Sequence, residues 1–290
     1  MEKVLITGSS GQLGLELQLT APVRWKVVPC ASRDLDITDP RMVRSTLERV
    51  GPVAVINTAA FTRVDDAESD PTVAETVNAS GAGNVAEAAG RVGARMVHIS
   101  TDFVFDGTQG RPYAPEDQPN PLGVYGRTKL AGERLVQERT SGQALIVRTA
   151  WLYAKQGRNF VRTMLRTMRE QRPVHVVGDQ IGTPTWARGL AHALWTAVER
   201  PNIRGVIHWT DAGIASWYDV AVAIQEEALG LGLLDRAVPV RPLRSDEYPA
   251  LARRPTFSVL DKTTGWAALN GPPPHWRANL RSMLRELPRD

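Results

Sequence analysis

The stretch Val4-Leu5-Ile6-Thr7-Gly8-Ser9-Ser10-Gly11-Gln12-Leu13-Gly14 decides how the chain is read. A short hydrophobic strand runs into a glycine turn, and the turn opens an amphipathic helix. Gly8 permits the tight turn, Gly11 lets a pyrophosphate approach the backbone, and Gly14 lets the helix pack closely on a sheet. The phosphate then meets free amides at the positive end of a helix. Outward from this turn, Val4–Thr7, Lys26–Pro29, Val53–Thr58, Arg95–Ser100 and Ala144–Thr149 read as strands. Gln12–Leu19, Asp39–Arg49, Pro71–Val92 and Tyr125–Arg139 read as helices, two of them announced by Asp-Pro at Asp39-Pro40 and Asp70-Pro71. Ala54-Val55-Ile56 is apolar on both faces, as a parallel strand between helical layers should be. The fold class expected is α/β, a doubly wound parallel sheet with a smaller α/β lobe after it.

Beyond Trp151 the alternation loosens. Helices are expected near Asn159–Gln171, Trp186–Glu199 and Ser216–Leu229, with a strand at Gly205–Thr210. Seven of the eight tryptophans lie from residue 151 onward. The organisation expected is therefore a dinucleotide-binding domain over residues 1–150 and a substrate-binding lobe over 151–290, some later segments returning to the first. Phe103–Val124, rich in Pro, Gly and Asn, follows a strand where functional loops of open sheets lie.

Composition sets the class. With 290 residues, 42% hydrophobic and 23% charged, the chain is globular, and no apolar run approaches the roughly 20 residues that span a bilayer. The opening residues leave no room for a signal-peptide core before the glycine turn, so a soluble protein with no membrane partner is expected. The single cysteine, Cys30, cannot form an intrachain disulfide and fits a reducing, cytoplasmic home. The net charge of +4 comes from residues 236–290, where basic residues outnumber acidic two to one. No lysine run accompanies it, so a small anionic ligand is expected rather than nucleic acid. The five histidines show no metal-ligand spacing; His98, His175 and His208 fall in predicted strands and read as structural. Trp186, Trp209 and Trp217 read as core. Asp65-Asp66-Ala67-Glu68 reads as a solvated loop and helix start.

Three positions carry chemistry. Tyr125 and Lys129 stand four residues apart at the start of a predicted helix, hence on one face. A phenol has an ordinary pKa near 10, and a nearby ammonium is expected to lower it toward working range. Thr101, at the end of the fourth strand, can give a second hydrogen bond to a substrate carbonyl. After the second strand, Ser32 and Arg33 come where a 2′-phosphate would sit, which favours NADPH, while Asp34 could serve as a ribose carboxylate and leaves NADH open. Arg253 and Arg254 in the basic tail offer forked donors to a diphosphate.

With these residues in place the chain resembles the extended short-chain dehydrogenase/reductases. The shared signs are the glycine turn, Asn57-Thr58-Ala59-Ala60, Asn78 with Gly81, Ser100-Thr101-Asp102, and Tyr125 with Lys129. Within them it is similar to the dTDP-4-dehydrorhamnose reductase family. That narrower likeness rests on Ala59 to Glu68, Ser100 to Gly107, Tyr125 to Glu133, Arg148 to Tyr153, Asp179 to Thr185, and Ala252-Arg253-Arg254-Pro255, nearly the whole chain. The resemblance implies reduction of the 4-keto group of a dTDP-6-deoxy-L-hexose with NADPH. Tyr125 would be proton donor, Lys129 would tune it and bind ribose, and Thr101 would polarise the carbonyl. It further implies that Gly11, Gln12 and Leu13 line the pyrophosphate, Asp36 and Ile37 flank the adenine, and Ala59 and Ala60 lie along the cofactor. Thr101, Asp102 and Trp151 would contact the sugar, with Thr62–Ala67 and Asn159 as weaker candidates.

Some members of the family carry a magnesium ion bridging two subunits through glutamates. Glu16 and Glu286 stand at plausible ligand positions, but Arg188 stands where a further carboxylate is expected, so no required metal is predicted and a monomer or homodimer stays open. Two alternatives also stay open. One is a related nucleotide-sugar reductase, epimerase or dehydratase, although Phe103 after Asp102 replaces the acid a dehydratase would use. The other is a non-catalytic, cofactor-binding regulatory subunit.

Overall fold

The computed structural model describes residues 1–288. Five strands, β1 (Lys3–Thr7), β2 (Lys26–Cys30), β3 (Ala54–Asn57), β4 (Arg95–Thr101) and β5 (Leu145–Thr149), join a sixth, Gly205–His208, in one sheet. All its pairs are parallel, in the order Gly205–His208, β5, β4, β3, β1, β2. The chain steps from β1 outward to β2 and then back across to β3. That reversal opens a crevice at the carboxyl ends of β1 and β3, where open α/β sheets bind ligands.

Strand residues alternate between two cores, as a period of two requires. Val4, Ile6, Ala54, Ile56, Leu145 and Val147 pack with Leu13 and Leu17 of helix α1 (Gln12–Leu19) and with the helix Ala187–Glu199. Leu5, Val55, Met96 and Ile146 face the opposite way, against helix α2 (Pro40–Val50) and the helix Ala82–Arg91. Asp39 caps α2 by accepting from the Arg41 and Met42 amides at 2.9 and 3.1 Å, with Pro40 in the first turn. Thus Ala187–Glu199 and Gly205–His208, although late in sequence, pack on and complete the large sheet.

The remaining late segments build a second core. Val174–Val177 pairs in parallel with Val240–Leu243, Ile181–Gly182 pairs antiparallel with Ala215–Ser216, and the helices Phe160–Arg169, Trp217–Gly230 and Trp276–Arg285 pack around them. His98, His175 and His208 do fall on strands, and Trp186 and Trp209 are buried.

Two expectations need correction. The helix expected over Pro71–Val92 is not uniform: Pro71–Glu75 and Ala82–Arg91 are joined by a π-helical turn over Thr76–Gly81. The wider turn presents Asn78, whose side chain accepts from the Phe61 amide at 2.8 Å and donates to Thr128 Oγ1 at 3.0 Å; such bulges gather at functional sites. The Asp65–Glu68 run is a helix start, as expected, but no part of it is loop: it lies wholly in the helix Val64–Ser69, and Asp65 and Glu68 are only half-exposed. Asp65 and Glu68 reach other segments while Asp66 pairs with Arg63 at the helix start, and those contacts offset the weak helix preference of Asp.

Candidate active site

A cavity of about 640 Å³ runs along the carboxyl ends of β1 to β5. Gly8, Gly11, Gln12, Leu13, Ser32, Asp36, Ile37, Ala59 and Ala60 line one end, and Thr101, Asp102, Tyr125, Lys129 and Trp151 line the other. Residues from five strand ends thus meet in one groove long enough for an extended ligand. Gly8 turns with φ 64°, while Gly14 lies beneath the groove: a Cβ there would stand 2.5 Å from the Gly8 carbonyl oxygen. Gly14 therefore serves packing, not contact. Arg33 also stands outside the lining, its side chain exposed and 3.7 Å from Asp34.

Tyr125 sits in the first turn of the helix Val124–Arg139. Glu68 anchors that turn by accepting from the Val124 amide at 2.7 Å. Gly126 lets the turn press onto the preceding loop, since a Cβ would come within 2.1 Å of the Phe103 carbonyl oxygen. Phe103 meets the Tyr125 ring edge-on at 5.7 Å between centroids. Burial raises the phenol's pKa to about 12, against a hydrogen bond with the Thr101 side chain that lowers it. The expected lowering by Lys129 is not found, because the Lys129 ammonium donates to the Ile99 carbonyl at 2.6 Å. Burial in turn depresses the lysine to about 8, partly offset by Glu133. A phenol held neutral is the form a proton donor needs.

Thr101 Oγ1 donates to Asp102 Oδ1 at 3.1 Å and accepts from the Phe103 amide at 3.2 Å. Asp102 is 2% exposed, and burial lifts its carboxyl to about 6. Beneath these residues Glu133 accepts from Arg148 Nε at 2.9 Å and Nη2 at 2.7 Å, and from the Ser100 hydroxyl. Trp151 adopts φ 47°, a left-handed conformation rare for a bulky side chain and typical of strain stored at sites. Its ring stacks on Trp217 at 3.6 Å and 6°. Trp217, expected in the core, therefore forms part of the cavity wall.

A second cavity of about 300 Å³ opens past this stacked pair, lined by Phe160, Met164, His175, Gln180, Tyr248 and Arg254 among others. The strap 248–255, which gives Tyr248, Arg254 and Pro255 to this lining, is tied down by Asp65, which accepts from the Leu251 and Ala252 amides at 3.1 and 3.0 Å and from Arg254 Nη2 at 2.6 Å. Arg253 is exposed and lines neither cavity. Arg158 lines the first cavity and was not anticipated; its signal is the tract Gly157-Arg158-Asn159 at a helix start. Asn159 caps that helix and donates to Gln12 Oε1 at 2.9 Å.

The family described as RmlD substrate binding domain matches residues 1–289. The chain belongs to this family. It is 41% identical to a dTDP-4-dehydrorhamnose reductase of Burkholderia thailandensis, over 98% of this chain and 99% of the relative. It is 40% identical to a dTDP-4-keto-6-deoxy-D-glucose reductase of Streptomyces niveus, over 96% and 95%. A dTDP-4-dehydrorhamnose reductase from Bacillus anthracis, solved in complex with NADP, superposes with a TM-score of 0.92 at 37% identity, covering 99% of each chain. The resemblance read from the motifs therefore holds across the chain, and the protein is an oxidoreductase of this reductase family.

The magnesium site of some family members does not fit these residues. Arg188 donates from Nε to Glu16 Oε2 at 2.8 Å and pairs with Glu286 through its other nitrogens, so a guanidinium fills the space between the two carboxylates. No cluster of three or more metal-ligating side chains occurs among the described residues. EDTA treatment is expected to leave activity and Tm unchanged; activity lost to the chelator and restored by magnesium would refute this. No described helix is long and apolar enough to cross a membrane.

Proposed function

We propose that this chain reduces the 4-keto group of dTDP-4-dehydro-L-rhamnose to dTDP-L-rhamnose with NADPH. The observation that carries the reading is the meeting of Tyr125, Lys129 and Thr101 at one end of a groove whose other end is the glycine turn. Bound NADPH would supply the hydride to C4. Ser32, Asp36 and Ile37 would hold its adenosine end, Gly11, Gln12, Leu13 and Arg158 its pyrophosphate, and Ala59 and Ala60 its length. Tyr125, kept neutral by burial, gives its proton to the oxygen at C4 as charge develops there. Thr101 polarises the same oxygen, a donor that counts most in the transition state. Lys129, one turn along the helix, opposes the negative charge left on Tyr125 and reaches a ribose hydroxyl. Trp151 faces the sugar, and Asp102 stands in the groove wall beside Thr101. The nucleotide end extends past the Trp151–Trp217 pair into the second cavity, where Arg254 meets the diphosphate.

A reducing, cytoplasmic setting suits an NADPH-dependent enzyme with one buried thiol. Nothing in this reading calls for a macromolecular partner; the protein acts as a monomer or homodimer. A second substrate has specific support: the Streptomyces niveus relative is named for a dTDP-4-keto-6-deoxy-D-glucose. The test supplies the purified protein with NADPH and each keto sugar in turn, and follows the loss of NADPH absorbance. Faster turnover of the D-sugar would move the assignment to that sugar, and turnover of neither would discard both.

Arg33, exposed beside the adenosine end, is the candidate for the 2′-phosphate. Arg33→Ala is expected to weaken NADPH about tenfold, the loss of one charge-assisted contact, with little change for NADH. Equal losses for the two cofactors would remove the phosphate assignment.

A further inference from the structure

Thr101 has a single hydroxyl proton, and polarising a carbonyl requires that proton to point at the substrate. In the structure it points instead at Asp102 Oδ1, 3.1 Å away. The oxygen meanwhile accepts from the Phe103 amide at 3.2 Å. Asp102 is almost wholly buried, and its second oxygen, Oδ2, is a buried atom with no hydrogen-bond partner. A carboxylate only accepts, so while Asp102 is ionised it claims the threonine proton. A carboxylic acid donates. Protonated Asp102 can give its own proton to Thr101 Oγ1 and leave the threonine hydrogen free to turn to a carbonyl.

We infer that Asp102 is a positioning residue with two settings: as an acid it aims the Thr101 hydroxyl at the substrate carbonyl, and as a carboxylate it takes that hydroxyl away. The inference rests on the reading of Thr101 as the carbonyl's polarising donor. Burial favours the acid form, while the Ser258 and Thr101 hydroxyls beside the carboxyl favour the ion. The groups facing it are Ser258 from the C-terminal segment and Tyr125 from the Val124–Arg139 helix, whose phenol feels its charge. Lys129 on the same helix gives one of its three donors to the Ile99 carbonyl. A bound sugar excludes water from the groove and pushes the carboxyl further toward the acid.

The test compares kcat across about pH 5 to 9 for the wild type and Asp102→Asn, because the carboxamide can donate to Thr101 at every pH. Wild-type kcat is expected to fall about tenfold per pH unit on its alkaline side, as ionisation of a single group dictates. Asp102→Asn, whatever its absolute rate, should lack this fall, so the ratio of variant to wild type climbs about tenfold per unit there. In a Thr101→Val background the same exchange at 102 should leave the shape of the profile unaltered. A constant ratio, or no measurable turnover by Asp102→Asn, overturns the inference.

A second measurement needs no substrate. The carboxyl carbon of Asp102, followed by 13C NMR in the free protein, should titrate above the ordinary aspartate value of about 4. It should move higher still in Thr101→Val, which removes a donor to the ion. Titration near about 4 in both proteins overturns the inference. If the wild type reduces neither keto sugar, the functional reading falls instead, and the NMR titration alone decides the assignment of Asp102.

Discussion

Tyr125→Phe is expected to lower kcat about a thousandfold, within the range for loss of a general acid, while NADPH affinity changes less than about twofold. The substitution removes one oxygen and keeps the ring, so the edge-on contact with Phe103 and the packing of the helix start survive. What disappears is the neutral phenol, whose proton burial has secured well above neutral pH. Thr101 can still polarise the carbonyl, which accounts for a residual rate. The measurement pairs NADPH consumption with a fluorescence titration of the cofactor. A loss in kcat below about tenfold would place the proton donor elsewhere, because one misplaced hydrogen bond costs that much.

Glu133→Ala is expected to destabilise the fold by about 3–5 kcal/mol, a large part of the 5–15 kcal/mol that holds a typical domain together. Glu133 and Arg148 have side chains only 5% and 4% exposed, and they join through two parallel nitrogen–oxygen bonds. Removing the glutamate strands a buried guanidinium whose remaining partners are the Pro115 carbonyl at 3.4 Å, the Phe105 ring and His208. Replacing both partners by methionine should cost much less, because no charge is then left behind. Urea denaturation of the single and double variants reads the difference. A single variant within about 1 kcal/mol of wild type would mean that water reaches Arg148.

The strand–turn–helix at the start and the Tyr125–Lys129 spacing were legible because local periodicity carries them. Gly8, Gly11, Gln12, Leu13, Tyr125 and Thr101 line the groove. Three features were not legible, each for a physical reason. Glu133 and Arg148 stand in quoted motifs, but a buried ion pair between a helix and a strand leaves no sequence periodicity. Trp217 reads as an ordinary core residue at a helix start; only its stack on a strained Trp151 brings it to the cavity. Asp65 and Glu68 look like solvated charge until the fold delivers the amides of Ala252 and Val124 to them. Lys129 was legible only in part: its spacing from Tyr125 brings it to the groove, but one of its three ammonium donors goes to the Ile99 carbonyl.

The grip of Asp65 on the strap has a consequence for how substrate preference can change. Two of its three bonds go to main-chain amides, at Leu251 and Ala252, and only the third depends on a side chain, Arg254. Main-chain bonds are indifferent to which residue supplies them, proline excepted. Tyr248, which lines the second cavity and not the first, can therefore be exchanged for other side chains while the strap keeps its anchorage and the catalytic end of the groove keeps its lining. Where the second cavity takes the nucleotide end, as proposed, fastening and recognition fall to different atoms of one segment, and a library at Tyr248 would explore new nucleotides without first having to rebuild the anchorage.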